Sequence, residues 1–466
     1  MSKDKTVTHP VVDAFNTKAR WNLFGSIIYE GLRIGHSAII AMLFAPEIFG
    51  LVGSLFASTY LGVRLSDAGA TNALLPFFGY LEQSRQTFKS FFLKRLFLSL
   101  FITAPLGAGA ASIFLYRSQL QDLASCAVIL PLLMFSETLR SFLRQFLHLS
   151  GQSKQTLIID HFTFCLYVAA CWPTIFFIPS SRTPLFIFSL FLIDSLIGLS
   201  CFLVLTNRYA KTLPDQAPES LTTQPTWYML TTSRLYAWLM RACKELLSSN
   251  ALTPLFAATV GLKQAGLFYF AATLAMAIHA VMRSVIGYAG ASLFISARKA
   301  ALPTHEAFAL VSRKLTSILL VLAGFFAFTY HDILKLAVVT AASSLITIFF
   351  VLYFAIVIIE FSLFLYELQY QIEQAGAEAL LWRLLELLLV YVAARGLVVL
   401  NPVSTLVCIL MAKVGTLIAL ALTGYRRWGI VPSLRMPLRR MINLVIVSFC
   451  LAIAFKVLVY NALHLI

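Results

Sequence analysis

The sequence predicts an all-α, polytopic membrane protein. Of its 466 residues, 59% are hydrophobic and only 12% are charged, and the mean hydropathy is +0.84. Charged residues fall in short clusters between apolar runs of about twenty residues, the length that a helix needs to cross a hydrocarbon core of about 30 Å. Long uncharged runs such as residues 336–359 differ from the short alternating segments of a β-barrel. The chain is therefore expected to cross the bilayer as helices.

Hydropathy predicts thirteen spans, within a range of twelve to fourteen. About twenty mixed polar residues precede the first span, and no cleavable signal sequence is visible. The predicted spans are residues 21–44, 48–70, 93–116, 122–146, 156–178, 184–206, 231–253, 265–290, 309–330, 336–366, 380–400, 402–424 and 441–463.

The distribution of basic residues predicts a cytoplasmic N-terminus. With that orientation the outside loops contain only Arg117, Arg182, Lys263 and Lys335, whereas the basic residues between spans 12 and 13 fall inside. Cytoplasmic loops are normally enriched in Lys and Arg. An odd number of spans then places the C-terminus outside.

The loops predict two six-helix lobes. The longest connection, residues 207–229, is polar and rich in Pro and Thr, as an interlobe linker would be. The predicted organisation is an N-terminal lobe over residues 1–206, a C-terminal lobe over 230–424, and a basic loop with one extra span over 425–466. A short echo, Phe49-Gly50-Leu51 against Ala265-Gly266-Leu267, suggests that the lobes are pseudo-repeats, a common transporter architecture.

Ionisable residues inside the spans are the candidate functional groups. Each costs about 2.5–3.5 kcal/mol near the bilayer centre on insertion scales, so it normally faces a partner or a wet cavity. The first two spans of each predicted lobe hold five cations and three carboxylates away from their ends. These residues and their neighbouring histidines are Glu30, Arg33 and His36 in span 1, Arg64 and Asp67 in span 2, Arg241, Lys244 and Glu245 in span 7, and His279 and Arg283 in span 8.

The positive surplus suits a polyanionic head group such as a pyrophosphate. Arginine offers phosphate two parallel hydrogen bonds and lysine offers a point charge. The predicted substrate-binding residues are Arg33, Arg64, Arg241, Lys244 and Arg283. The predicted charge-compensating or ion-coupling residues are Glu30, Asp67, Glu245 and Asp194. The alternative is that acids and bases pair within each helix, and that Arg64 and Arg283 extend to the interface.

Other intramembrane charges have structural interpretations. Glu137 and Glu386 each have an arginine three residues away, Arg140 and Arg383, which predicts local ion pairs. Lys413 and Lys456, in later spans, are both expected to form ion pairs with Glu360. Asp194, central in span 6, is the best isolated carboxylate for a coupling proton or sodium ion.

Several functional classes are disfavoured. No G-x-x-x-x-G-K-[ST] phosphate loop and no H-E-x-x-H spacing occurs, and the seven cysteines form no C-x-x-C pair, so no cofactor and no metal site is predicted. The net charge of +16 is explained by topology, without nucleic acid. No loop is long enough for a soluble catalytic domain. A non-enzymatic transporter is therefore expected, with a membrane enzyme of glycan assembly as the second alternative.

Four short segments resemble bacterial polysaccharide flippases of the multidrug/oligosaccharidyl-lipid/polysaccharide exporter superfamily. They are residues 18–22 (KARWN), 45–51 (APEIFGL), 65–70 (LSDAGA) and 261–268 (GLKQAGLF). The resemblance covers about residues 18–300, and the family's cavity arginines correspond to arginines of this chain by span and approximate depth. Two departures are the count of thirteen spans, where twelve or fourteen are usual, and the tail after residue 425.

The resemblance implies a function. Such flippases move an undecaprenyl-pyrophosphate-linked oligosaccharide across the inner membrane by alternating access through a central cationic cavity between two lobes. Arg33, Arg64, Arg241 and Arg283 stand at comparable places to cavity arginines of the family. The expected partners are the lipid-linked glycan, membrane lipids, glycan-assembly proteins and a coupling proton or sodium ion. The alternative with the same fold is a cation-coupled exporter of small drugs or metabolites.

Overall fold

The computed structural model is helical, with no strand in the residues it describes, which are 10–117, 126, 128–215, 227–283, 304–337, 343–372, 375–396, 401–429, 442–453 and 456. Within these ranges, eight helices are long and apolar enough to cross a membrane, as judged by length and composition. The predicted fold class, an all-α polytopic membrane protein, is confirmed, and the helix count is compatible with thirteen spans.

The helices follow the predicted spans, with a π-helical segment at Phe88–Phe97 and a 3₁₀ turn at Pro179–Ser181. They are α1 (Pro10–Leu43), α2 (Pro46–Ser66), α3 (Ala70–Leu81), α4 (Leu98–Arg117), α5 (Ile129–Leu149), α6 (Ser153–Phe177), α7 (Pro184–Thr212), α8 (Trp227–Leu246), α9 (Ser249–Val260), α10 (Leu262–Arg283), α11 (Thr304–Ala337), α12 (Ser343–Ile372), α13 (Gly376–Gly396), α14 (Pro402–Trp428) and α15 (Ile442–Ile453).

Two local predictions were wrong. The sequence placed no helix between spans 2 and 3, but α3 lies there; its twelve residues are too short to cross a bilayer and so gave no span signal. Span 7 was predicted as continuous, but it is broken after Leu246. The Ser248 hydroxyl accepts a hydrogen bond from the Asn250 backbone N–H and starts α9 as an N-cap.

The chain divides into two compact units. The first comprises Met1–Met42, Thr273–Gln369 and Lys413–Ile466, and the second comprises Leu43–Ala272 and Tyr370–Ala412. Helices α7 and α8 extend into both ends of the predicted linker, to Thr212 and from Trp227. The lobe boundaries at 206, 230 and 424 stay a prediction.

In the second unit, α2 is the central helix. It packs against α4, α5, α8 and α9, and α7 packs against α5 and α6. An aromatic core joins the π-helical segment to α5: the Phe92 ring centroid lies 4.4 Å from that of Phe146 and 5.4 Å from that of Phe142. All three side chains are buried. This core fixes the entry to α4.

The repeated Gly-Leu motif marks a backbone contact within the second unit. A Cβ atom added at Gly50 would lie 2.0 Å from the Leu262 carbonyl oxygen, and one added at Gly266 would lie 3.1 Å from the Gly50 Cα. Only glycine permits so close an approach between two helices. The two copies of the motif therefore meet, which gives the echo in the sequence a structural role.

The first unit contains side-chain contacts between its own helices. The Lys413 ammonium on α14 lies 2.5 Å from a Glu360 carboxylate oxygen on α12. The Ser448 hydroxyl on α15 donates to the Val321 carbonyl on α11, at 3.0 Å. Lys456 lies 3.2 Å from Asp332. The predicted pairing of Glu360 with Lys413 is confirmed, whereas the predicted pairing with Lys456 is wrong, because Lys456 lies against Asp332 on α11.

Candidate functional site

A strained turn separates α2 from α3 in the second unit. Ala68 and Gly69 adopt positive φ angles of 45° and 75°. A left-handed conformation costs a residue with a side chain roughly 1–2 kcal/mol, so Ala68 stores strain. The Asp67 carboxylate accepts a hydrogen bond of 2.8 Å from the Gly69 backbone N–H and braces the turn. This turn ends the long helix that carries Arg64.

Helix α8 binds directly to this turn. The indole N–H of Trp238 donates to the Leu65 carbonyl oxygen at 2.8 Å, and the Arg234 Nε donates to the Ala68 carbonyl oxygen at 3.3 Å. A Cβ atom at Gly69 would lie 2.1 Å from the Arg234 carbonyl oxygen, so only glycine fits. Side chains of α8 thus bind one carbonyl in the last turn of α2 and one in the turn that follows it.

Two ion pairs connect the same helices. The Arg241 guanidinium contacts the Asp67 carboxylate, and both side chains are buried. The Arg64 Nε lies 3.8 Å from a Glu245 carboxylate oxygen, and 27% of the Arg64 side chain is exposed. The alternative of pairing within a helix is therefore wrong for Arg64 and Asp67, because each finds its partner on α8.

The α2–α8 contact carries a positive surplus. We call the charged residues that are joined across it the α2–α8 cluster: Arg64, Asp67, Arg234, Arg241 and Glu245. Three are basic and two are acidic, and the predicted Lys244 lies on the same helix as Arg241. Arg234 donates a second hydrogen bond, of 2.7 Å, to the neutral Ser99 hydroxyl. Sequence reasoning missed Arg234, although it lies seven residues, or two helical turns, before Arg241 on one face of α8.

The other predicted cations lie in the first unit. The Arg33 guanidinium lies 3.0 Å from the Glu30 carboxylate, three residues away on α1, and 29% of the Arg33 side chain is exposed. Pairing within the helix is thus the arrangement found for α1. Arg283 is the last residue of α10, and its side chain lies outside the described residues. The substrate-binding roles of all five cations stay predictions.

A second charged group in the second unit is centred on Arg140. We call it the Arg140 cluster: Glu137, Arg140, Arg144, Asp160 and Asp194, from α5, α6 and α7. The Arg140 guanidinium lies 3.0 Å from Glu137, 3.4 Å from Asp160 and 2.7 Å from Asp194, and 2% of its side chain is exposed. Arg144 lies 2.7 Å from Asp160. The predicted Glu137–Arg140 pair is confirmed.

Asp194 was predicted as an isolated carboxylate, and this was wrong. Its ion pair with Arg140 links α7 to α5, and a neighbouring hydrogen bond of 2.7 Å joins Ser195 to Ser136 across the same helices. A Cβ atom at Gly198 would lie 2.6 Å from the Arg140 Nε, so glycine makes room for the guanidinium. Sequence spacing could not show this partner, because it is 54 residues away.

Among the remaining predicted pairs, Arg383 and Glu386 on α13 lie 2.7 Å apart with both side chains buried, as expected. No group of three or more His, Cys, Asp or Glu side chains arranged to hold a metal ion occurs in the part of the chain that the structure describes. The charged helices of the second unit thus present two arrangements, the α2–α8 cluster with excess positive charge and the Arg140 cluster with excess acid.

The fold and its long apolar helices define a class: an all-α, multi-pass membrane protein. No family model and no curated protein matches the sequence. Its fold, however, is similar to that of solved MATE transporters of the MOP superfamily. That superfamily includes the polysaccharide flippases. The resemblance stated from the sequence is confirmed at the level of that superfamily's fold.

Three solved structures illustrate the likeness. An outward-facing multidrug resistance MATE transporter of the MOP superfamily is 15% identical, with a TM-score of 0.65 over 89% of this chain and 95% of that one. An inward-facing form is 14% identical, with a TM-score of 0.59 over 88% and 98%. A MOP transporter from Pyrococcus furiosus, described as having a binding pocket of reverse polarity, is 12% identical, with a TM-score of 0.52 over 89% and 95%.

Proposed function

We propose that the protein is a flippase that moves an undecaprenyl-pyrophosphate-linked oligosaccharide across the bacterial inner membrane by alternating access. The N-terminus is cytoplasmic in this proposal. The partners are the lipid-linked glycan and membrane lipids, and glycan-assembly proteins supply the substrate. The protein transports its substrate without changing it chemically.

The observation that carries this proposal is the positive surplus of the α2–α8 cluster. Three basic side chains and two carboxylates meet where α8 packs against the end of α2, a helix long and apolar enough to cross a bilayer. The excess positive charge attracts an anionic ligand. Arg64 contributes a partly exposed guanidinium and Arg241 a buried one, and guanidinium groups bind phosphate oxygens in pairs.

The carboxylates next to these cations support coupling to a proton or sodium ion. Glu30, Asp67 and Glu245 each lie against an arginine, so a cation that neutralises one of them changes the charge presented to the substrate. Asp194 lies against Arg140 in the Arg140 cluster, and we assign it a lesser part in coupling.

The second candidate is a cation-coupled exporter of small drugs or metabolites. The multidrug resistance MATE transporters with the same fold favour it. Exporters of cationic, amphipathic drugs need acidic or apolar binding surfaces, whereas the α2–α8 cluster is basic. The sign of the substrate's charge therefore separates the two candidates.

The experiment reconstitutes the purified chain in proteoliposomes. A fluorescent lipid-linked sugar diphosphate and a cationic dye are offered in parallel, with imposed proton or sodium gradients and no nucleotide. We expect flipping of the lipid, and a loss of about tenfold or more in Arg241→Ala, from which a charge-assisted hydrogen bond is removed. Arg208→Ala, a control at an exposed arginine on α7, should flip at the wild-type rate.

Two results would overturn the proposal. One is wild-type flipping by a well-expressed Arg64→Ala/Arg241→Ala variant, because the cluster would then play no part. The other is gradient-driven movement of the dye without movement of the lipid, which would establish the exporter instead. Flipping indifferent to both ion gradients would remove the coupling role of Glu30, Asp67 and Glu245.

A further inference from the structure

The Asp67 carboxylate has two functions in one position. One of its oxygens accepts the Gly69 N–H and closes the turn between α2 and α3, and the other contacts the Arg241 guanidinium. The state of the turn and the partner of Arg241 are therefore linked through a single side chain. A change at either affects the other.

Helix α8 holds the turn at further points along one face. Arg234, Trp238 and Arg241 are spaced by four and three residues, so they line up along α8. Arg234 and Trp238 bind the Ala68 and Leu65 carbonyl oxygens. The turn contains a left-handed alanine, a conformation that persists only where its surroundings impose it. The contacts with α8 are those surroundings.

A diphosphate competes with Asp67 for the same guanidinium. It offers more anionic oxygens than one carboxylate, in the geometry that arginine binds in pairs. Arg64, with 27% of its side chain exposed, is positioned to bind the anion first. To do so it gives up only a long contact of 3.8 Å with Glu245.

From these contacts we infer that Asp67 is an internal substitute for the substrate's diphosphate, and that exchange of Asp67 for the diphosphate on Arg241 releases the turn between α2 and α3. This inference rests on the proposed function. When the diphosphate binds, the ion pair between Asp67 and Arg241 opens, and the strained turn loses its charged link to α8 and rearranges. When it leaves, Asp67 returns to Arg241 and restores the turn.

The test compares the wild-type chain with Asp67→Asn in lipid nanodiscs, with farnesyl diphosphate as the probe. The asparagine keeps an acceptor for the Gly69 N–H but removes the charge that competes for Arg241. We expect farnesyl diphosphate to bind Asp67→Asn about tenfold more tightly. Glu47→Gln, which changes an exposed acid on the same helix, is the control and should bind like the wild type.

Hydrogen–deuterium exchange of the wild-type chain gives a second measurement that needs no variant. We expect farnesyl diphosphate to raise amide exchange in a peptide covering residues 65–72, and to leave a peptide covering residues 136–144 unchanged. In Asp67→Asn the peptide covering residues 65–72 should already exchange faster without the probe, because the ion pair with Arg241 is lost.

The outcomes separate this inference from the proposed function. If the wild type binds farnesyl diphosphate but Asp67→Asn binds it no more tightly, and exchange at residues 65–72 does not respond, the exchange mechanism is wrong while a diphosphate substrate stands. If neither protein binds the probe, the proposed function fails and this inference fails with it.

Discussion

The two charged clusters of the second unit contain the same residue types but differ in net charge and in exposure. The Arg140 cluster places two arginines among three carboxylates, and Arg140 itself is sealed from solvent at distances of 2.7–3.4 Å from its acids. The α2–α8 cluster has three bases and two acids, and its Arg64 pair is longer and partly exposed. Charge surplus and exposure, rather than the presence of arginine, therefore distinguish the proposed ligand site from the buried ion network around Arg140.

The largest effect is expected at the centre of the Arg140 cluster. Arg140→Met leaves three buried carboxylates without their shared cation and should lower the free energy of unfolding by about 3–5 kcal/mol. Thermal unfolding and the yield of membrane-inserted protein measure this loss. Arg144→Met is the control, because Asp160 keeps its contact with Arg140. Equal stability of Arg140→Met and the wild type would make this cluster functional rather than structural.

A smaller effect is expected from crowding the same guanidinium. Gly198→Ala places a methyl group 2.6 Å from the Arg140 Nε and should cost about 1–3 kcal/mol. Gly109→Ala is matched, because a Cβ atom there meets nothing within 4 Å, and it should be neutral or slightly stabilising. The difference between the two melting temperatures is the measurement. Similar melting temperatures would show that Arg140 moves freely and is not tightly held.

The α2–α8 cluster should gain stability from a change that relaxes its turn. Ala68→Gly removes the strain at a φ of 45° and, after the entropy cost of glycine, should stabilise the protein by about 0.5–1 kcal/mol. Thermal unfolding measures this gain, and Ala70→Gly, inside the first turn of α3, should instead destabilise. Destabilisation by Ala68→Gly would show that the backbone at Ala68 is not strained.

The smallest effect is expected at the Arg64–Glu245 pair. A double-mutant cycle with Arg64→Ala and Glu245→Ala should give a coupling energy of about 0.2–1 kcal/mol, because the pair is long and Arg64 is partly hydrated. The coupling should weaken further in high salt. A coupling energy as large as the loss of stability expected for Arg140→Met would show that the two clusters do not differ in this way.

The sequence predicted the fold class and nearly all helices, because apolar runs of membrane length are a strong local signal. It also predicted the Glu137–Arg140 and Arg383–Glu386 pairs, since both lie three residues apart on one helix. It missed the partners of Asp194 and Asp67, which are 54 and 174 residues away. Contacts of that separation depend on how helices pack, and one sequence does not record packing.

The sequence did not predict the turn between α2 and α3, for a different reason. The prediction extended span 2 to residue 70, because Ala68, Gly69 and Ala70 are compatible with an apolar helix. The left-handed conformation at Ala68 is imposed by hydrogen bonds from Arg234 and Trp238 on another helix. Local propensity favours continuing α2, and tertiary contacts override it.

The contact between Gly50 and Gly266 has a mechanical consequence. Helices that interlock through large side chains resist sliding, because each knob must leave its hole before the next position is reached. The glycines bring α2 and α10 close, and beside them the Phe49 ring packs against Tyr269 and Phe270. Any rotation of one helix on the other therefore requires these aromatic side chains to change rotamer, so α2 and the start of α10 are expected to move as one rigid pair.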